Sequence, residues 1–219
     1  LKTPLTALLG FIETLNTSAR SDASARQRFL EIMEREAQRM NRLVSDLLSL
    51  SQVEAVERIR PNEEVDVSRL LQETATTLAP VAEARGVCLQ VVNADRLVKM
   101  AGDRDQLRQI FINLIENAIK YGGPNNEVSV TLSDTSYQTL LRCEGIAISV
   151  VDKGPGIDAL DIPRLTERFY RIDSHRSREM GGTGLGLAIV KHIVSRHRGV
   201  LKIYSAVGKG SEFKIILPV

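Results

Sequence analysis

A change of sequence period near residue 60 constrains this chain more than any other feature. The first sixty residues hold no Gly after Gly10 and no Pro after Pro4, and their apolar positions recur at helical spacing. Pro61 then opens a stretch in which strand-like and helix-like patterns alternate. Leu1, Leu5, Leu8, Ile12 and Leu15 form one stripe, and residues 16–22 supply a polar break. A second stripe, Phe29, Met33, Met40, Leu43, Leu47 and Leu50, starts near Ser24 and runs on with one gap at Glu36. Two helices with one stripe each leave apolar surface uncovered, so the economical arrangement is a helical hairpin that dimerises into a four-helix bundle.

Beyond a linker placed at residues 56–65, the pattern predicts helices over 68–85, 103–121 and 185–197. Strands are predicted over 87–92, 97–101, 127–132 and 140–151, with a terminal hairpin of 200–205 and 212–217 around Gly208 and Gly210. This is an α+β order: a hairpin domain, then an α/β sandwich whose mixed sheet is covered on one face by helices. The length of 219 residues suits one large or two small domains. With 43% hydrophobic and 26% charged residues, the chain can bury a core.

Charge and cysteine content exclude several function classes. Lys plus Arg is 29 against 27 for Asp plus Glu, and a net charge of +2 argues against nucleic acid as the partner. No apolar run approaches the roughly 18 to 20 residues that span a bilayer, so the chain as given reads as soluble. Cys88 and Cys143 stand without CxxC spacing and read as buried, reduced thiols rather than a disulfide or zinc framework.

Three constellations carry chemistry. Asn113, Asn117 and Lys120 fall on one face of the 103–121 helix, amid Ile110, Phe111, Leu114, Ile115 and Ala118. Asn is a poor helix former and costly to bury, so this stripe calls for polar partners such as a hydrated divalent cation or phosphate oxygens. Asp152 ends an apolar strand and precedes Lys153-Gly154-Pro155-Gly156, which holds a carboxylate on rigid backbone as an acceptor for an amino group such as that of adenine. Gly181-Gly182-Thr183-Gly184-Leu185-Gly186 opens a helix and can bring backbone N–H groups to phosphate oxygens, though it fits neither GxxxxGK[ST] nor GxGxxG. Between the last two lies a polar segment rooted at Phe169, with the composition of a lid; residues 173–182 are expected to be mobile without nucleotide. Taken singly, an exposed polar helix face, an Asx turn and a plain surface loop account for the same residues.

In this order the motifs resemble the ATP-binding domain of two-component sensor histidine kinases, within the gyrase, Hsp90, histidine kinase and MutL superfamily. The opening Leu1-Lys-Thr-Pro-Leu-Thr6 is similar to the tail of that family's phosphoacceptor box. The resemblance implies a dimerisation and phosphotransfer hairpin at 1–57, truncated at its start, and an ATP-binding catalytic domain at 66–219. It also implies roles: Asn113 and Asn117 as the N-box, Asn117 as magnesium ligand, Lys120 near the phosphates and Tyr121 near adenine. Asp152 would accept from the adenine amino group, with Gly154 and Gly156 shaping that pocket and Gly210 and Ser211 closing it. Phe169 would anchor the lid, Gly182, Thr183, Gly184, Leu185 and Gly186 would line the phosphates, and Thr3 would position water for dephosphorylation of a partner.

The implied cofactors are ATP and Mg²⁺, and the implied partners a response regulator receiver domain and a second copy of the chain. The parent protein is expected to be a membrane-anchored sensor with this portion in the cytoplasm. The family's acceptor histidine would lie just before Leu1; His175, His192 and His197 read as solvated or packing residues. At a finer level, residues 10–15, 46–51 and 196–199 resemble the phosphate-regulon sensor kinase branch. A rival reading is an ATP-sensing scaffold or regulator phosphatase without autokinase activity. A MutL or gyrase-type clamp would instead require Glu where Asn113 stands.

Overall fold

The computed structural model describes residues 2–17, 22–56, 58–123, 126–172 and 182–219, and the side chains of residues 2–4 and 7 lie outside that description. The chain divides into two compact units: residues 1–49 with 173–183, and residues 50–172 with 184–219.

In the first unit, α1 (Lys2–Asn16) and α2 (Ala23–Ala55) are the two helices expected from the stripes. Asp22 starts α2: its Oδ1 accepts the amides of Ser24 and Ala25 at 2.9 and 3.0 Å, which meets two of the unpaired N–H groups of a helix start. The rings of Phe11 and Phe29 meet at 5.8 Å between centroids. Several apolar side chains stay open to solvent, including Leu9 at 59% and Leu48 at 60%.

The second unit takes the last turns of α2, where Leu50 and Val53 are buried. Part of the stretch read as linker is strand: β1 (Glu63–Asp66) pairs antiparallel with β3 (Lys99–Gly102), burying Val65 and Met100. Asp66 caps α3 (Val67–Glu83) by accepting from the Arg69 amide, and Asp103 caps α4 (Arg104–Tyr121) by accepting from the Gln106 amide. The main sheet runs β2 (Cys88–Val92), β4 (Glu127–Leu132), β6 (Cys143–Asp152), β8 (Ser211–Pro218), β7 (Val200–Ser205), with β2 parallel to β4 and the rest antiparallel.

Register divides the sheet into a dry and a wet face. Val130, Val150 and Phe213 are cross-strand partners, as are Leu132, Ile148 and Ile215, and all six are buried. The alternate positions Thr131, Ser149 and Lys214 form a half-exposed polar row. Burying one such aliphatic side chain contributes about 1.5–3 kcal/mol, so the dry face and α4, with Ile110, Phe111, Leu114 and Ile115 buried, hold the unit together.

Other expectations change as well. The strand predicted over 140–151 starts at Cys143, because Leu141 and Arg142 turn back to donate to the Gln138 carbonyl, Arg142 has φ +57°, and β5 (Ser136–Gln138) precedes that turn. Cys88 and Cys143 are exposed rather than buried: Cys88 lies on the edge strand β2, and Cys143 opens β6. The C-terminal helix, α5 (Gly186–Arg196), is one residue shorter at each end than predicted.

Candidate functional site

Asp152 is the last residue of β6 and points to the dry side of the sheet, where it is only 6% exposed. Its Oδ1 accepts the Gly154 amide at 2.8 Å, and the hydroxyl and amide of its cross-strand partner Ser211 also donate to it. Burial pushes the carboxyl above the usual carboxylate range, outweighing the lowering pull of those three hydrogen bonds. The surrounding turns demand glycine. Gly156 and Gly210 have φ of +71° and +78°, and a side chain at Gly210 would sit 2.0 Å from the Asp152 carbonyl oxygen.

On α4, Asn113, Asn117 and Lys120 share one half-buried face as the spacing predicts. Among the described residues neither asparagine amide has a hydrogen-bond partner. Lys120 Nζ lies 2.5 Å from Glu116 Oε2 one turn earlier. Tyr121 closes the helix, partly exposed, and its carbonyl oxygen lies 3.1 Å from where a Gly154 Cβ would stand, so the end of α4 abuts the Asp152 turn. Gly186, the first residue of α5, would place a Cβ 2.8 Å from Asn113 Oδ1, so this helix start meets the amide face. Neutral amide oxygens beside a helix N-terminus suit a hard cation and phosphate oxygens.

These features coincide with two families. The model for histidine kinase-, DNA gyrase B- and HSP90-like ATPases matches residues 102–219, and that for the His Kinase A phospho-acceptor domain matches residues 1–56. The chain belongs to the sensor histidine kinase family. It is 39% identical over 213 residues to the phosphate regulon sensor protein PhoR of Pseudomonas aeruginosa, covering 97% of this chain and 46% of PhoR. It is 36% identical to the sensor-like histidine kinase SenX3 of Mycolicibacterium smegmatis, covering 100% of this chain and 54% of SenX3. The chain therefore spans about half the length of these curated relatives. Among solved structures, histidine kinase ThkA in complex with the response regulator TrrA aligns with TM-score 0.75 at 22% identity, over 99% of this chain and 58% of ThkA. This is a likeness of fold.

In this sensor kinase core, Phe169 adopts φ +63°, a conformation that costs a bulky residue energy, and is 56% exposed. Its amide donates to the Gly184 carbonyl at 2.9 Å, which ties the root of the predicted lid to the glycine run. Leu185 is fully buried and Gly186 starts α5. Gly182 and Thr183 fall in the compact unit of the hairpin, where the Thr183 hydroxyl donates to Asp46 Oδ2 at 2.6 Å. Residues 173–181, including His175, and the Thr3 side chain lie outside the described residues.

His192 approaches Glu54 at 3.2 Å. His197 is a packing residue: it is buried, its Nε2 accepts the Asp103 amide at 3.0 Å, and burial holds its pKa below the usual imidazole range. Two residues that the sequence reading passed over complete the Asp152 pocket. Ser205 accepts from the Ile157 amide and donates to the Gly210 carbonyl, each at 2.8 Å, and its hydroxyl lies 3.0 Å from that of Ser211. Asn126 accepts from the Lys153 amide at 2.9 Å. Nothing marks either in the sequence, because each acts through a register or a turn that exists only once the sheet forms.

Among the described residues, no helix is long and apolar enough to cross a membrane, and no cluster of three or more His, Cys, Asp or Glu could hold a metal.

Proposed function

We propose that this chain is the catalytic core of a sensor kinase that binds Mg-ATP, supports phosphorylation of a histidine lying upstream of Leu1, and passes the phosphoryl group to an aspartate of a response regulator. The observation that carries the reading is Asp152: a buried carboxylate, braced by Gly154 and Ser211, at the rim of a sheet in an ATPase-family domain. An ionised carboxylate so held offers its remaining acceptor sites to the amino group of adenine.

Gly154, Gly156, Gly210 and Ser211 would shape the base pocket, with Tyr121 beside it. Asn113, Lys120, Gly184, Leu185 and Gly186 would face the phosphates, while Phe169 would anchor the lid. The half-buried amides, which have no partner among the described residues, fit Mg²⁺, which Asn117 would hold; the ion would supply charge neutralisation along the triphosphate. Lys120 carries a second positive charge and exchanges its Glu116 contact for phosphate oxygens. In transfer, the upstream imidazole nitrogen forms a bond to the γ-phosphorus as the bond to the β,γ-bridging oxygen breaks. ADP leaves, and the imidazole proton passes to the acidic residue after the histidine. Positioning supplies most of the rate enhancement.

The exposed apolar residues of α1 and α2 support a homodimer, and the ThkA–TrrA complex supports a receiver domain as partner. A membrane anchor belongs to the parent protein, with this core on the cytoplasmic side, and Thr3 would position water when the kinase dephosphorylates its regulator. The test is to extend the chain through the upstream histidine and incubate it with γ-labelled ATP. Acid-labile, alkali-stable label that transfers to a receiver domain is expected, and label-free protein that still binds ATP would overturn autokinase activity.

A further inference from the structure

Asn126 is 6% exposed and stands between the end of α4 and the start of β4. It faces in two directions. Its backbone carbonyl accepts the Cys88 amide at 2.9 Å and so starts the β2–β4 pairing, while its side-chain Oδ1 accepts the Lys153 amide at 2.9 Å. Its Nδ2 is buried and has no partner among the described residues. That nitrogen fills the space beside Gly122: a Cβ on Gly122 would lie 1.7 Å from it. Gly122 in turn packs under Gly154, whose Cβ would stand 2.7 Å from the Gly122 Cα and 2.7 Å from Asp152 Oδ1. A continuous contact therefore runs from Asn126 through Gly122 to Gly154, and a direct hydrogen bond runs from Asn126 to Lys153. Both end at the residues that flank or bind the Asp152 carboxylate.

A buried donor without a partner is costly, and replacing Asn126 by a small apolar residue would remove that cost. Its retained use is the acceptor half of the amide, which holds the turn in one position. We infer that Asn126 is a positioning residue for base recognition, setting the Lys153–Gly154 turn and through it the orientation of Asp152. The inference rests on the reading of Asp152 as the acceptor for adenine. Asn126 touches no reacting atom. It acts as the fixed wall against which Gly122 and Gly154 close, and the two glycines are small because the amide and the carboxylate already occupy the space their side chains would need.

Two readouts on the whole chain test this, one of which needs no nucleotide. Hydrogen exchange of Asn126→Ala is expected to accelerate at the Lys153 and Gly154 amides by about tenfold, with Val130 and Val150 unchanged. Calorimetry with Mg²⁺, comparing ATP with purine riboside triphosphate, which lacks the 6-amino group, is expected to show the preference for ATP falling about tenfold in the variant. Gly122→Ala, whose added methyl group would stand 1.7 Å from Asn126 Nδ2 and 2.7 Å from the Ala118 carbonyl oxygen, is expected to lose the same selectivity. Unchanged Lys153 exchange, or equal loss of affinity for both nucleotides in the two single variants, overturns the positioning role. Folded wild-type chain that binds both nucleotides equally overturns the Asp152 reading itself, a result that the Lys153 exchange rate does not mimic.

Discussion

The two ends of the proposed nucleotide site are built differently. The Asp152 end is made by strands and their turns, and the carboxylate, Ser211, Ser205, Gly154 and Asn126 Oδ1 are each held by hydrogen bonds within the protein. The α4 end is a helix face with two half-buried asparagine amides that have no partners among the described residues, beside a lysine held by a neighbouring glutamate. A base that changes little between nucleotides suits a rigid pocket, whereas a phosphate chain that must move and leave suits groups that are satisfied only while the Mg-nucleotide is bound. The contrast predicts that lesions at the first end abolish binding, while lesions at the second change its dependence on the metal.

The largest effect is expected from Asp152→Asn. Replacing a charged acceptor should weaken ATP binding by about 100-fold or more while the thermal unfolding transition stays cooperative, as calorimetry alongside circular dichroism would reveal. The same carboxylate sets a pH dependence. Its folded-state pKa is raised, so its contribution to stability is present at acidic pH and lost as pH rises through that value, whereas ATP binding, which needs the ionised form, weakens as pH falls through it. Wild type and Asp152→Asn compared by denaturant titration across pH should therefore diverge most at neutral pH, with the variant losing its relative advantage under acid.

Next comes Asn117→Ala, for which affinity should fall about 10- to 30-fold with Mg²⁺ and hardly change in its absence. An equal loss in both conditions would place Asn117 with the base end and erase the contrast. Gly186→Ala should have a smaller effect, a loss of about fivefold to tenfold, because its added methyl group at 2.8 Å from Asn113 Oδ1 displaces one amide without removing it.

The smallest effect lies at the other end of α4. His197 accepts the Asp103 amide at the start of that helix, and Arg196 Nη1 contacts Asp103 Oδ2 at 3.0 Å. The pKa of His197 is lowered by burial, so its contribution to stability is present above about pH 6.5 and lost as pH falls below it. Urea denaturation from pH 7.5 to 5 should show that loss in wild type and a flatter profile in His197→Gln, with Mg-ATP affinity at pH 7.5 nearly equal in the two.

The two ends also differ in how far the sequence discloses them. The α4 face follows from spacing alone, since three and four residues make a helical turn, and Asp152 follows from an apolar run that stops at a glycine turn. Ser205 and Asn126 do not, because their roles depend on which strand lies beside which: Ser205 meets Ser211 only through the β7–β8 register, and Asn126 meets Lys153 across 27 positions of chain. β1 escapes for another reason. Its four residues, Glu63 to Asp66, carry three acids and one apolar side chain, so pairing with β3 rather than its own pattern makes it a strand. The exposure of Cys88 follows from β2 lying at the sheet edge, a topological fact that composition does not carry.

One measurement bears on the central claim most directly: calorimetric titration of a non-hydrolysable ATP analogue into the wild-type chain and Asp152→Asn, each with and without Mg²⁺. The account predicts binding that Mg²⁺ strengthens in the wild type and that is lost from the folded variant under both conditions. Equal binding by the two proteins, or none by folded wild type, would contradict it.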